Sequence, residues 1–119
     1  LASKGFADGL RTAKGAGGKV LARNTQSVLN VSLYPVYFWD GRAASLEEQA
    51  LAPIQSKDEM NQNLQELVRE LGAVPEYVEQ FRAVFNSPVT EDGIAKALAA
   101  FQRTLLSRNS PFDRFLAGD

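Results

Sequence analysis

From Ser45 onward the hydrophobic positions recur with helical spacing, and before it they do not. Ser45 and Glu48 form an S-x-x-E pair, in which each side chain can accept a free backbone N–H at a helix start. Pro53, which lacks an N–H and crowds the carbonyl four residues back, is expected to end that short helix. Leu64, Leu67, Val68 and Leu71 fall at i, i+3, i+4 and i+7, a second helix with one apolar stripe and Gly72 as its stop. A third helix is predicted from Pro75, whose missing N–H costs nothing in a first turn, with Tyr77, Val78, Phe81, Val84 and Phe85 buried. The stretch SPVTEDG breaks it. Thr90 then caps a fourth helix, Glu91 and Asp92 occupy its favourable first turn, and Arg103 and Arg108 lie near its negative end. Its core face is predicted to be Ile94, Leu98, Phe101 and Leu105. Ser110 and Pro111 start a last short helix that carries Phe112, Phe115 and Leu116.

The first part of the chain is less regular. More than half of its nine glycines lie before position 20, in KGFADG and KGAGGKV, which reads as loop with positive φ or close approach to something bulky. Mixed apolar spacing from Thr25 to Leu33 predicts a short helix that Pro35 ends. No strand pattern, internal repeat or low-complexity tract stands out, so the class is all-α.

Composition narrows the chemistry. At 119 residues and 45% hydrophobic, the chain has the material for one domain, residues 1–119, and too little for two. Thirteen basic residues nearly balance fourteen acidic ones, and without a cationic cluster there is no nucleic-acid footprint. Histidine and cysteine are both absent, which removes disulfides, zinc sites of the usual kind, thiolate nucleophiles and imidazole ligands. No apolar run approaches the roughly 18 residues of a membrane span. Leu1 is not a methionine and no signal peptide is visible there, so the chain reads as a processed or excised piece.

Four residue groups remain as candidates for chemistry. Gln49, three positions after Leu46 and beside Ala50, points toward the apolar side of its helix, where an amide needs a partner or a ligand. The alternative is a place at the stripe's edge with a hydrogen bond to a loop carbonyl. Glu59, followed by Met60 in KDEMNQN, reads by itself as a solvated loop acid and only weakly as an acid–base group. Trp39, the only tryptophan, is by default a core anchor, and Asp40 with Arg42 reads as a turn held by a local ion pair.

The order of these motifs adds to that reading. RNTQSVLN, then FWDGRAASLEEQALAPI, then DEM, then IAKALAAFQRTLLSRNSPFDRFLAGD resembles the bacterial di-haem cytochrome c peroxidase family, which includes the methylamine-utilisation di-haem enzyme. The resemblance runs from about Gly5 to Asp119. It implies a cytochrome c-like helical domain, here a haem-less fragment with a glycine-rich N-terminal loop. The fragment would be the body of the N-terminal, peroxidatic haem domain, lying between two C-x-x-C-H attachment sites. It also implies a periplasmic parent that carries two haem c groups and reduces hydrogen peroxide to water with electrons from a small donor protein, a cytochrome c or a cupredoxin. The C-terminal haem domain of the same chain would be a further partner. Position by position, Gln49 and Glu59 match the polar pair on the peroxide side of the haem, Trp39 the tryptophan between the haems, and Asn24 an asparagine that helps hold calcium. Met60 is expected to pack near the pocket rather than bind iron.

One position departs from the family pattern. Many members have a ligand histidine in a G-H-G-G context, and here Ala16 stands in that place. Alanine cannot ligate iron, so the resemblance implies a distal haem face that is open without prior reduction. The fragment alone is expected to be inactive, and removal of a central haem is expected to leave an apolar groove near Phe38 and Trp39 that collapses or drives self-association. Two alternatives stand beside this reading: a haem-less binding or structural module, and a di-haem oxidase acting on something other than peroxide.

Overall fold

The computed structural model describes residues 2–118. Five α-helices follow one another: α1 (Leu46–Gln55), α2 (Leu64–Gly72), α3 (Pro75–Phe85), α4 (Glu91–Thr104) and α5 (Pro111–Leu116). Among the described residues before α1, the helical segments are short 3-10 turns, at Ala2–Lys4, Ala16–Gly18 and Val31–Leu33. The helix expected over Thr25–Leu33 is thus reduced to its last three residues. Asn30 enters the left-handed region just before them, and its N–H reaches the Leu105 carbonyl at 2.9 Å, so long-range bonding replaces the helical ladder. Among the described residues, extended pairing is limited to two isolated antiparallel bridges, Lys14 with Val20 and Tyr37 with Ala43. The class is all-α, as predicted.

Helix starts follow the capping chemistry. The Ser45 hydroxyl accepts the Glu48 N–H, while the Glu48 carboxylate accepts the Ala44 N–H, one residue upstream of the standard reciprocal bond. Asn63, Thr90 and Ser110 accept the N3 amides of α2, α4 and α5. Pro53 does not end α1 as expected. It lies inside the last turn, where it withholds one N–H from the Gln49 carbonyl, and the helix continues to Gln55 with Ser56 still bonded to Ala52.

Two clusters of buried side chains hold the helices. Val31, Leu46 and Ala99 join α1 to α4, with Val28 and Tyr37 against them. Phe81, Val89 and Ile94 join α3 to α4, with Leu67, Val68, Leu71 and Phe85 packed on. The α4 interface differs from the predicted stripe: Gly93, Ile94, Ala95 and Ala99 are buried, whereas Leu98 and Phe101 are exposed. Small residues let the helices approach closely, and Phe81 fills the space a Cβ on Gly93 would take, 2.8 Å from its ring. In α3 only Phe81 is buried, and Tyr77 and Val84 face outward. Phe112, Phe115 and Leu116 of α5 are exposed as well. The radius of gyration, 16.7 Å, exceeds the about 13 to 14 Å of a compact chain this long. The helices therefore do not close around a single centre, and an open groove lies beside α1.

Candidate functional site

The groove has a volume of about 630 Å³. Four segments build most of it: residues 21–28, the turn Val36–Arg42, α1 at Leu46, Gln49 and Pro53, and the following turn at Ser56, Asp58 and Glu59; Val31 and Tyr34 are among the residues that complete the lining. All four residues singled out from the resemblance, Asn24, Trp39, Gln49 and Glu59, line it. Leu46 anchors the α1 side, being only 1% exposed, and so fixes the helix face on which Gln49 stands three residues later.

Gln49 and Glu59 are both partly buried, and among the described residues neither side chain has a hydrogen-bond partner. The alternative of a Gln49 bond to a loop carbonyl is not realised, and Glu59 is less solvated than its loop context suggests. A primary amide and a carboxylate in one groove offer two donors and several acceptors to a small polar ligand. Phe38, Tyr37, Val31 and Leu46 supply apolar wall beside them.

Trp39 is not a core anchor. The residue is 59% exposed, and its indole N–H donates to the Asn24 carbonyl at 3.0 Å. The Asn24 side-chain amide in turn donates to the Leu10 carbonyl, and among the described residues its oxygen has no partner. The turn that presents Trp39 is closed by the Tyr37 N–H to Ala43 carbonyl bond of 2.9 Å and by positive φ at Phe38 and Gly41. Asp40 holds this turn from below, accepting from Arg42 at 2.8 Å and from Arg23 at 2.9 Å. The Arg23 guanidinium first, and Arg42 second, lower the Asp40 carboxyl to about 2. Arg42 also lies over the Phe38 ring, 3.5 Å from its centroid. The local Asp40–Arg42 pair was legible in sequence. Arg23, 17 residues away, was missed, because nothing in the spacing of a lone arginine announces such a partner.

Two further positions fall outside the groove. Met60 is 63% exposed and does not line it, because its N–H is drawn back to the Pro53 carbonyl and the side chain turns outward. Ala16 is exposed and also does not line it; its backbone N–H donates to the Glu59 carbonyl at 2.8 Å. Sequence reasoning also missed the bidentate pair between Arg103 at the end of α4 and Glu47 at the start of α1, 2.8 and 3.0 Å, which lowers the Glu47 carboxyl and locks the two helices in register. Among the described residues, no group of three acidic, histidine or cysteine side chains could hold a metal ion.

Known proteins share the sequence and the fold. The chain is 47% identical over 119 residues to the methylamine utilization protein MauG of Methylorubrum extorquens, covering 98% of this chain and 34% of that one. It is 42% identical over 118 residues to the cytochrome c551 peroxidase of Pseudomonas aeruginosa, covering 97% of this chain and 34% of the relative. The crystal structure of a MauG-like protein associated with microbial copper homeostasis superposes with a TM-score of 0.90 at 29% identity, over 99% of this chain and 36% of that one. The chain thus spans about a third of the length of the relatives it matches. With the family model for di-haem cytochrome c peroxidases matching residues 1–119 and the helical fold agreeing, this chain belongs to the di-haem cytochrome c peroxidase family.

Proposed function

We propose that this chain is the body of the N-terminal haem domain of a periplasmic di-haem peroxidase, and that its groove is the peroxide side of the haem pocket. The observation that carries the reading is that Gln49 and Glu59 line one groove, partly buried and without a side-chain partner among the described residues, and that Trp39 lines the same groove. The residues present fit one part of a haem site. The apolar wall of Val31, Tyr37, Phe38 and Leu46 suits a flat apolar ring, while a chain without histidine or cysteine offers neither the usual axial ligand nor a thioether attachment. In the parent, a bound haem c supplies the iron at which peroxide is reduced. This chain supplies the surroundings. Glu59 takes a proton from one peroxide oxygen and returns one to the leaving oxygen, which cleavage to water requires, and Gln49 orients the peroxide by hydrogen bonding. Trp39, exposed in the groove, carries electrons between the haems in this reading. The free amide oxygen of Asn24 is a hard donor that suits calcium, with carbonyls and waters completing the sphere. A small cytochrome c or cupredoxin is the electron donor, and the chain without haem is inactive.

The test is Glu59→Gln in the full-length, haem-loaded protein. The carboxylate's acid–base role predicts a fall in kcat for hydrogen peroxide of about 10²–10⁴-fold with the haem spectrum unchanged. A variant with the parent's turnover would sink the reading.

A further inference from the structure

Gly15 sits where no other residue fits. A Cβ there would stand 1.6 Å from the Asp58 carbonyl oxygen, whereas ordinary contact begins at 3.4 Å. Its φ is −95°, so the glycine answers a lack of space and not a left-handed backbone. The next residue, Ala16, donates its N–H to the Glu59 carbonyl at 2.8 Å, and Lys19 forms an ion pair with Asp58 across the same contact. The loop is itself closed, with the Gly15 N–H on the Lys19 carbonyl at 2.8 Å and a bridge from Lys14 to Val20. From the other side, α1 holds the turn: Glu59 and Asn61 donate to the Ser56 carbonyl, Met60 to Pro53 and Gln62 to Ile54. The backbone that carries Glu59 is therefore gripped from two sides, while the Glu59 side chain remains unpartnered in the groove.

We propose that residues 13–20 form a positioning element for Glu59. Gly15 sets how closely the loop approaches, the Ala16 amide fixes the Glu59 carbonyl, and Lys19 latches the loop through Asp58. Ala16, whose side chain has no donor, acceptor or metal ligand, then acts through its backbone. The proposal rests on Glu59 moving protons in the peroxide pocket. An acid–base group displaced by about 1 Å loses on the order of 10²-fold in rate, and a methyl group at Gly15 forces a shift of that size or more.

The experiment uses the full-length haem protein and three variants: Gly15→Ala, Gly72→Ala and Glu59→Gln. Gly72, at the end of α2 and outside both the loop and the groove, has nothing within 4 Å of its Cβ position, so it controls for adding a methyl group at a glycine. Two quantities are read, the kcat and KM for hydrogen peroxide and the hydrogen exchange of the Ala16 amide. Gly15→Ala is expected to lower kcat roughly 10²-fold with little change in KM and to deprotect the Ala16 amide; Gly72→Ala keeps kcat and protection. Fast Ala16 exchange in Gly15→Ala with unchanged kcat, while Glu59→Gln is inactive, overturns the positioning role and leaves the catalytic reading standing. Unchanged kcat in Glu59→Gln overturns the catalytic reading and the proposal with it. Should Gly15→Ala fail to fold, Lys19→Met removes the latch without adding bulk at the contact: a smaller fall in kcat with faster Ala16 exchange supports the proposal, and faster exchange at full kcat refutes it.

Discussion

Phe81 and Gly93 interlock where α3 crosses α4, and a double-mutant cycle on the pair tests the packing argument. Phe81 is 7% exposed and packs beside Phe85, with ring centroids 5.4 Å apart. Phe81→Ala is expected to cost about 3–5 kcal/mol, the transfer term plus the cavity, a large share of the roughly 5–15 kcal/mol that stabilises a domain. Gly93→Ala alone sets two effects against each other. The alanine gains about 1 kcal/mol of helix propensity, but its Cβ meets Phe81 at 2.8 Å and the Thr90 hydroxyl at 3.1 Å. Overpacking of that kind costs about 1–3 kcal/mol, so the net effect is destabilising by up to about 2 kcal/mol. With Phe81 already alanine the ring clash disappears and only the Thr90 contact remains, so the same change at 93 becomes neutral to stabilising by up to about 1 kcal/mol. The coupling is therefore about 1–3 kcal/mol, within the range for residues in contact. Urea unfolding of the 119-residue chain, followed by far-UV circular dichroism, measures all four corners. Additivity within about 0.5 kcal/mol would refute the interlock. Val84→Ala is the control: this valine shares the helix but faces outward, and its loss should be nearly neutral.

Asp40 should make the Trp39 turn acid-sensitive. Its folded pKa of about 2 lies below the ordinary 3.8, so its contribution is complete above about pH 4 and is lost as pH falls through about 2; Trp39 fluorescence should follow that change, and Asp40→Asn should remove it. Ser45→Ala deletes the acceptor of the Glu48 N–H and should destabilise the chain by about 1 kcal/mol in the same urea assay; an unchanged midpoint would refute the cap's role. The open groove and the exposed Phe112, Phe115 and Leu116 should make the isolated chain bind a hydrophobic dye or self-associate, and a dye-silent monomer in sedimentation would count against that.

Helix starts after Ser45 were legible because caps act over three or four residues, whereas the end expected at Pro53 was not, since the helix absorbs the proline in its last turn. Ser45, Thr90 and Ser110 do start helices, and Pro75 does occupy a first turn. Which face each helix buries was less legible. Hydrophobicity pointed to Leu98 and Phe101, whereas close approach selected Gly93, Ala95 and Ala99, since small side chains let the backbones meet and large ones do not. Before Ser45 the periodic signal fails for a related reason: Asn30, Thr25 and Ser27 bond to residues far along the chain, the Leu105 carbonyl, Asp8 and the Gly5 carbonyl, and no local pattern encodes those partners.

The groove carries the same division between local and distant information. Gln49 could be assigned to the apolar side from its spacing in a capped helix, and Asp40 to Arg42 from two residues of separation. Glu59 could not, because its place depends on a loop more than forty residues upstream that touches only its backbone. In sequence that loop stands out through the alanine at position 16, a side chain without donor or acceptor. In the structure it matters through its neighbour: Gly15 leaves room for the Asp58 carbonyl, and the Ala16 amide then reaches Glu59. A small, non-ligating side chain such as serine at 16 spares the N–H and the chain path and should therefore leave Glu59 where it is, while one methyl group at 15 should move it.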